Sequence, residues 1–254
     1  MSSFATPAIM LRRVDFGDYD LIITFFTLSR GKISVIAKSA KKSTKRFAGI
    51  LELFSVLDIV CSTGQRKGLP VLSEATIKHP FAGIRSDIIK TAYASYWAEL
   101  INEWLEESQR QGQLYRLFEY VLGALDLDLK PEAALSILFQ MGFMAISGLW
   151  PNLQSCSICR TAIDQIKADS FAFDLAKGGL ACNGCTPATS NMILLSKGTI
   201  KQLLWVKNED LAKAMRIKFT SQALQEGLQF SEAFVPYHLG KEPRSLMFLK
   251  QMRK

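Results

Sequence analysis

The sequence predicts a multidomain α+β protein. A five-stranded β-barrel comes first, then an α-helical domain into which a four-cysteine module is inserted. Three observations predict this. The first third holds five short segments rich in β-branched, Leu and Phe residues, separated by turn residues. After Pro80 the apolar residues recur with a helical period. Four of the five cysteines form two Cys-x-x-Cys pairs, Cys156/Cys159 and Cys182/Cys185. The expected division is 1–79 for the barrel and 80–254 for the helical domain, with the cysteine module at about 154–188.

The five strand segments are PAIMLRRV, DLIITFFTL, GKISVIAKS, ILELFSVLDIVC and LPVLSEATI. Gly17-Asp18, Ser29-Arg30-Gly31 and Ser62-Thr63-Gly64 punctuate them as turns. In the third, Ile33, Val35 and Ala37 alternate with Lys32, Ser34 and Ile36, the pattern of a half-buried strand. Five short strands in about seventy residues suit a small barrel. The oligonucleotide/oligosaccharide-binding (OB) fold is the leading candidate, with an SH3-like barrel as the alternative.

Between the third and fourth segments, five of the nine residues from 38 to 46 are basic: Lys38, Lys41, Lys42, Lys45 and Arg46. Small residues between them let the backbone approach a phosphate. Such a run is often only a solvated loop. Its setting favours nucleic-acid contact, because residues 1–80 carry twelve Lys or Arg against six Asp or Glu, a net of +6 out of +8 for the chain. Arg12 and Arg13, and Arg66 and Lys67, are candidates to extend the surface. Of Phe25, Phe26, Phe47 and Phe54, the first, second and fourth read as core. Phe47 abuts the basic loop and is the candidate base-stacking ring.

From residue 84 to 108 an apolar stripe runs through Ile88, Tyr93, Trp97, Leu100 and Trp104, with Ser86-Asp87 as its N-cap. A second helix covers 114–125. Pro131 and Gly148 bracket a third that is apolar almost all round, expected at the centre of a bundle. The aromatic stripes read as core.

The cysteine module follows. Twenty-two residues separate the two pairs, a spacing at which four thiolates converge on one tetrahedral ion. Four sulfur ligands select zinc and leave no open position for an activated water, so the site is expected to be structural. Phe171-Ala172-Phe173 and the residues after Gly178-Gly179 suggest a short hairpin clipped by the metal. Helical signals return from Ser196, and Arg244, Lys250, Arg253 and Lys254 form a basic tail.

No catalytic constellation is apparent. His79, in a Lys-His-Pro linker, and His238, in a Pro-Tyr-His-Leu turn, are the only histidines. Gly178-Gly179 lacks the Lys-Ser/Thr of a phosphate-binding loop. Asp15, Asp18 and Asp20 read as turn residues, and Cys61 as inert core. No apolar run is long enough to span a membrane, and no secretory signal is evident, which points to the cytoplasm.

The order of these parts, together with four stretches, resembles the bacterial RecO family of DNA repair and recombination mediators. The first stretch is AIMLRRVDFGDYDLIITFFTLSRGKISVIAKSAKK, where Tyr19-Asp20, Thr27-Leu28, Gly31 and Ala37-Lys38 fall as the family's do. The others are GILELFSVLDI at 49–59, GLWPNLQSCSICR at 148–160 with GGLACNGC at 178–185, and HLGKEPRSLMFL at 238–249. The resemblance implies an N-terminal OB-fold and a helical domain with a zinc finger. It implies binding of single- and double-stranded DNA, annealing of complementary strands, and binding of the acidic tail of single-stranded DNA-binding protein. It also implies help, with a RecR-type protein, in loading RecA onto coated strands. A nucleoid-associated cytoplasmic location and no enzymatic activity go with this. Two rivals are weighed: a zinc-containing RNA-binding protein of translation or RNA processing, and a nuclease using Asp15, Asp18 and Asp20.

Overall fold

The structure is a computed structural model that describes residues 2–64, 68–186, 192–208 and 211–253. Arg66, Lys67 and Lys254, named above, and positions 187–188 at the end of the expected cysteine module lie outside the described residues. The chain packs as two compact units: Met1–Leu129 with Met247–Lys254, and Lys130–Leu246.

In the first unit, β1 (Ser2–Phe16), β2 (Asp20–Thr27), β3 (Gly31–Ala37), β4 (Val56–Thr63) and β5 (Val71–His79) form one sheet in the order β1-β2-β3-β5-β4. β4 pairs back on β1, from Ser2↔Thr63 to Ile9↔Val56, so the sheet closes into a barrel. β3 and β5 meet in parallel at Ile36↔Val71. β3 alternates buried and half-buried side chains along its length, as its sequence pattern predicts. Met10, Ile23, Phe25, Val35, Ile59 and Leu72 fill the interior with no exposed surface.

Two strand expectations are corrected. The fourth segment is not extended from residue 50: β4 begins at Val56. Phe54 takes a left-handed backbone (φ 68°), and the Ser55 N–H donates to the Glu52 carbonyl, which bends the chain. Leu51 and Phe54 are still buried, so apolarity there marks burial and not strand. At the other end, Ser62-Thr63 belongs to β4 and not to a turn.

Three described helices lie wholly in this unit: α1 (Ala82–Ser86), α2 (Ile88–Trp104) and α3 (Gly112–Asp126). The single helix predicted from residue 84 breaks at Asp87. Its extended backbone ends α1, and its side chain accepts from the N–H groups of Ile89 and Lys90, capping α2. Tyr115 of α3 meets Phe26 of β2 edge-on, ring centroids 5.6 Å apart. The α2–α3 connection is laid along β3: the Ser108 N–H donates to the Lys32 carbonyl at 2.8 Å, and Lys32 Nζ donates to the Asn102 carbonyl at 2.6 Å. Gly31 makes this possible. Its φ is +68°, and a Cβ there would collide with the Gln109 carbonyl group.

The second unit contains α4 (Glu132–Ile146), β6 (Asn152–Cys156), β7 (Ser170–Asp174), β8 (Gly179–Ala181), β9 (Ile193–Ser196), α5 (Lys197–Asn208), α6 (Leu211–Ala214) and α7 (Ser221–Leu239). α8 (Arg244–Met252) follows them in the chain. α4 packs on α5 and α7 and is buried along most of its length, as its all-round apolarity predicts. The expected hairpin is β7–β8, but it is half of a four-stranded sheet in the order β6-β8-β7-β9. Phe173 of β7 meets Phe230 and Phe234 of α7 edge-on at 4.8 and 5.2 Å, joining sheet to helix. His238 is not in a turn. It lies in α7, its ring 4.5 Å from that of Phe234. Of the basic residues expected as a tail, Arg244 and Lys250 fall on α8, and Arg253 follows its last residue, Met252. No described helix is long and apolar enough to cross a membrane.

Candidate nucleic-acid interface and metal centre

The basic loop begins where β3 ends. Ser39 turns in a left-handed conformation, and a short 3-10 turn covers Ala40–Lys42. The loop is fastened to the tip of the β1–β2 hairpin. The Ser39 N–H donates to Asp20 Oδ1 at 2.7 Å, and the Lys41 N–H to the Tyr19 carbonyl at 3.0 Å. Lys41 Nζ lies 2.9 Å from Asp15 Oδ2, and the Lys42 ammonium sits 3.4 Å from the Tyr19 ring centroid. Further along, Ser43 Oγ accepts from the N–H groups of Arg46 and Phe47, and Arg46 Nη2 donates to the Lys38 carbonyl at 2.7 Å. The small residues of the run therefore shape the loop by hydrogen bonding.

All five basic residues of the loop are exposed, although the side chain of Lys41, paired with Asp15, is only 28% so. Lys38 and Lys45 make no side-chain hydrogen bond or ion pair with any described residue. Lys42 and Arg46 cover the rings of Tyr19 and Phe47, which leaves their charge uncompensated. Lys41 is matched by Asp15. Arg12 is exposed on β1. Arg13 is engaged: its Nη1 donates to the Leu51 carbonyl at 2.7 Å and lies 3.3 Å from Glu52 Oε2. Asp15 and Asp20 thus serve the loop, one as a counter-charge and the other as an acceptor.

Phe47 does not offer a stacking ring. It is 4% exposed and belongs to the barrel core, with Arg46 lying over it. Phe25, Phe26 and Phe54 are buried as well. The exposed rings beside the loop are Phe16 (51%) and Tyr19 (45%), which sequence reasoning passed over. The signal available for them was position. They flank Gly17-Asp18 and so lie at a turn and not inside an apolar strand run.

Cys61 sits on β4 with no exposed surface, and burial pushes its thiol up to about 11 against a smaller opposing effect of Arg30. It is an inert core residue.

The other four cysteines converge. Their Sγ atoms all lie within 4.8 Å of one another, and Cys159 and Cys182 stand 3.9 Å apart. Tetrahedral ligation with metal–sulfur bonds of about 2.3 Å requires sulfurs about 3.8 Å apart, so the cluster fits such an ion. Each pair is presented by a tight turn. Cys156 ends β6, and its carbonyl accepts from the Arg160 N–H. Cys182 follows β8, and its carbonyl accepts from the Cys185 and Thr186 N–H groups. Gly179 lets the two turns approach, since a Cβ there would strike Ser157 Oγ. Burial would raise the Cys156 thiol, but N–H groups of Cys182, Cys159 and Ile158 directed at its sulfur outweigh that and hold it at about 6. The Cys185 thiol, sharing its proton with Cys182 and partly desolvated, is pushed up to about 12. Four sulfurs in contact do not all ionise unless a cation balances them.

Comparison with known proteins covers the whole chain. Residues 1–81 match the family model described as Recombination protein O N terminal, and residues 85–247 match Recombination protein O C terminal. The DNA repair protein RecO of Desulfosudis oleivorans is 44% identical over 258 residues, covering 100% of this chain and 99% of that protein. That of Desulfatibacillum aliphaticivorans is 44% identical over 255 residues, with the same coverage. That of Anaeromyxobacter dehalogenans is 32% identical over 252 residues, 99% of this chain and 98% of the relative.

Proposed function

The chain belongs to the RecO family of DNA repair proteins, and from that premise we propose that it is a non-enzymatic recombination mediator that binds single- and double-stranded DNA and anneals complementary strands. In this reading a RecR-type protein is its partner, and together they help RecA load onto strands coated by single-stranded DNA-binding protein, whose acidic tail it contacts. It works in the cytoplasm, at the nucleoid.

The observation that carries the DNA reading is the basic loop. Lys38, Lys42, Lys45 and Arg46 are exposed, with no carboxylate partner among the described residues, on a loop braced against the barrel. We assign that barrel to the OB class on its strand order and the parallel β3–β5 closure. Phosphate neutralisation by these cations supplies affinity and lets two polyanionic strands approach, so annealing requires no covalent step. Cys156, Cys159, Cys182 and Cys185 hold one Zn2+. With four protein sulfurs the ion supplies folding energy and cross-links the two turns.

The test is fluorescence anisotropy with labelled single-stranded and duplex DNA over a salt series, followed by annealing of complementary strands coated with single-stranded DNA-binding protein. Salt-sensitive binding and faster annealing support the reading. Absence of binding at low salt removes it.

A further inference from the structure

We propose that Phe16 and Tyr19, at the tip of the β1–β2 hairpin, form a base-stacking platform that takes unpaired bases of single-stranded DNA while the adjoining loop holds their phosphates; this deepens the DNA-binding reading above and rests on it.

The sheet pattern puts the rings where they are. β1 carries Arg12, Val14 and Phe16 at alternate positions, so these three share one face, and all are exposed. Phe16 pairs with Asp20 across the hairpin, and Tyr19 sits in the turn between them. An isolated exposed apolar side chain is ordinary. Here Val14 (41%), Phe16 and Tyr19 are exposed together within six residues, and the Phe16 ring contacts no other ring among the described residues.

The surroundings specify the occupant. The loop 38–46 is hydrogen-bonded to this tip through Tyr19 and Asp20, which brings cations beside the rings. Lys42 covers one face of Tyr19 and helps to hold it, so a base stacks on the opposite face. Aromatic rings next to a phosphate-binding stripe are the combination that single strands require, because every base has a π-face and its backbone is anionic. An apolar protein surface would not call for the cations, and a duplex hides its base faces in the stack. The rings therefore add affinity for single strands only, whereas the cations serve both forms.

The experiment compares full-length protein with the variants Phe16→Ala/Tyr19→Ala and Phe16→Leu. The three probes are a labelled oligothymidine, an abasic oligomer with the same phosphates, and a duplex. Stacking of about 1–3 kcal/mol per base corresponds to a roughly 5- to 150-fold loss of oligothymidine affinity per ring removed. Abasic and duplex binding should stay within about twofold of wild type, with an unchanged salt slope. Phe16→Leu keeps apolar bulk at an exposed site and folds if the double variant does not; it should still show the loss. Equal losses on all three probes, or unchanged oligothymidine binding by folded variants, overturn the platform. If wild-type protein binds the DNAs and the folded ring variants bind all three probes normally, the platform alone falls. If wild-type protein binds no DNA, the reading beneath it falls as well.

Discussion

Removing the charges of the loop tests the interface quantitatively. The perturbation is Lys38, Lys41, Lys42, Lys45 and Arg46, each changed to Gln. Four of these cations have no carboxylate partner among the described residues, and Lys41 is matched by Asp15. Each phosphate contact contributes about 0.7 to the salt slope of single-strand binding, so the slope should flatten by about 2.8. Between 50 and 200 mM salt the wild-type protein should therefore lose about 50-fold more affinity than the variant. Arg46 and Lys41 also brace the loop, so a fold-neutral companion is needed. Lys38→Gln/Lys45→Gln touches two side chains with no described partner and should flatten the slope by about 1.4 with no change in melting. The converse change, Asp15→Asn, releases Lys41 and should steepen the slope by up to about 0.7. The assay is anisotropy at five or six salt concentrations. A slope altered by less than about 0.5 in folded five-position protein would refute phosphate contact by this loop.

Three further outcomes are expected. Cys156→Ser/Cys182→Ser should lose the single bound zinc and lower the melting temperature of the second unit, read by a colorimetric metal assay beside calorimetry; retained metal would disprove the four-sulfur site. Gly31→Ala should cost about 2–4 kcal/mol by urea titration, because it forces a left-handed backbone on alanine and drives Cβ into the Gln109 carbonyl; a cost under about 0.5 kcal/mol would show that this connection shifts freely. Glu226 is partly buried, which alone would raise its pKa, but hydrogen bonds from Thr199, Ser196 and Gln222 hold the carboxyl below its ordinary value. A depressed carboxyl stabilises the fold above about pH 4.3 and loses that contribution as pH falls through its folded value. Glu226→Gln should therefore be less stable at pH 7 and show a flatter acid limb in melting scans, and an unchanged limb would refute it.

Much of this protein is legible in its residues for local reasons. Alternation in 31–37 marks β3 because a strand's side chains change face at every step. Asp87 caps a helix through its own neighbours' N–H groups, and Cys-x-x-Cys places two sulfurs on one turn. What stayed hidden depended on partners distant in sequence. The run at 50–55 is apolar in the same way as a strand, and only the barrel interior explains why Leu51 is buried without being extended. β9 is four residues long and is a strand only because β7 lies beside it. His238 reads as a turn residue from Pro236, yet α7 continues through both.

The candidate site divides the same way. Sequence alone determined the charge asymmetry, the identity of the basic loop and the pairing of four thiols in two turns, because composition and short spacing are local properties. Tertiary structure decided which of those charges are unpaired, since Asp15, Glu52 and the backbone carbonyls that engage Lys41 and Arg13 come from elsewhere in the fold. It also decided which aromatic rings face solvent: Phe47 next to the loop is buried, while Phe16 and Tyr19, about thirty residues earlier, are exposed beside it. Burial is set by what packs against a side chain, and for a barrel those neighbours come from strands joined only when the sheet closes.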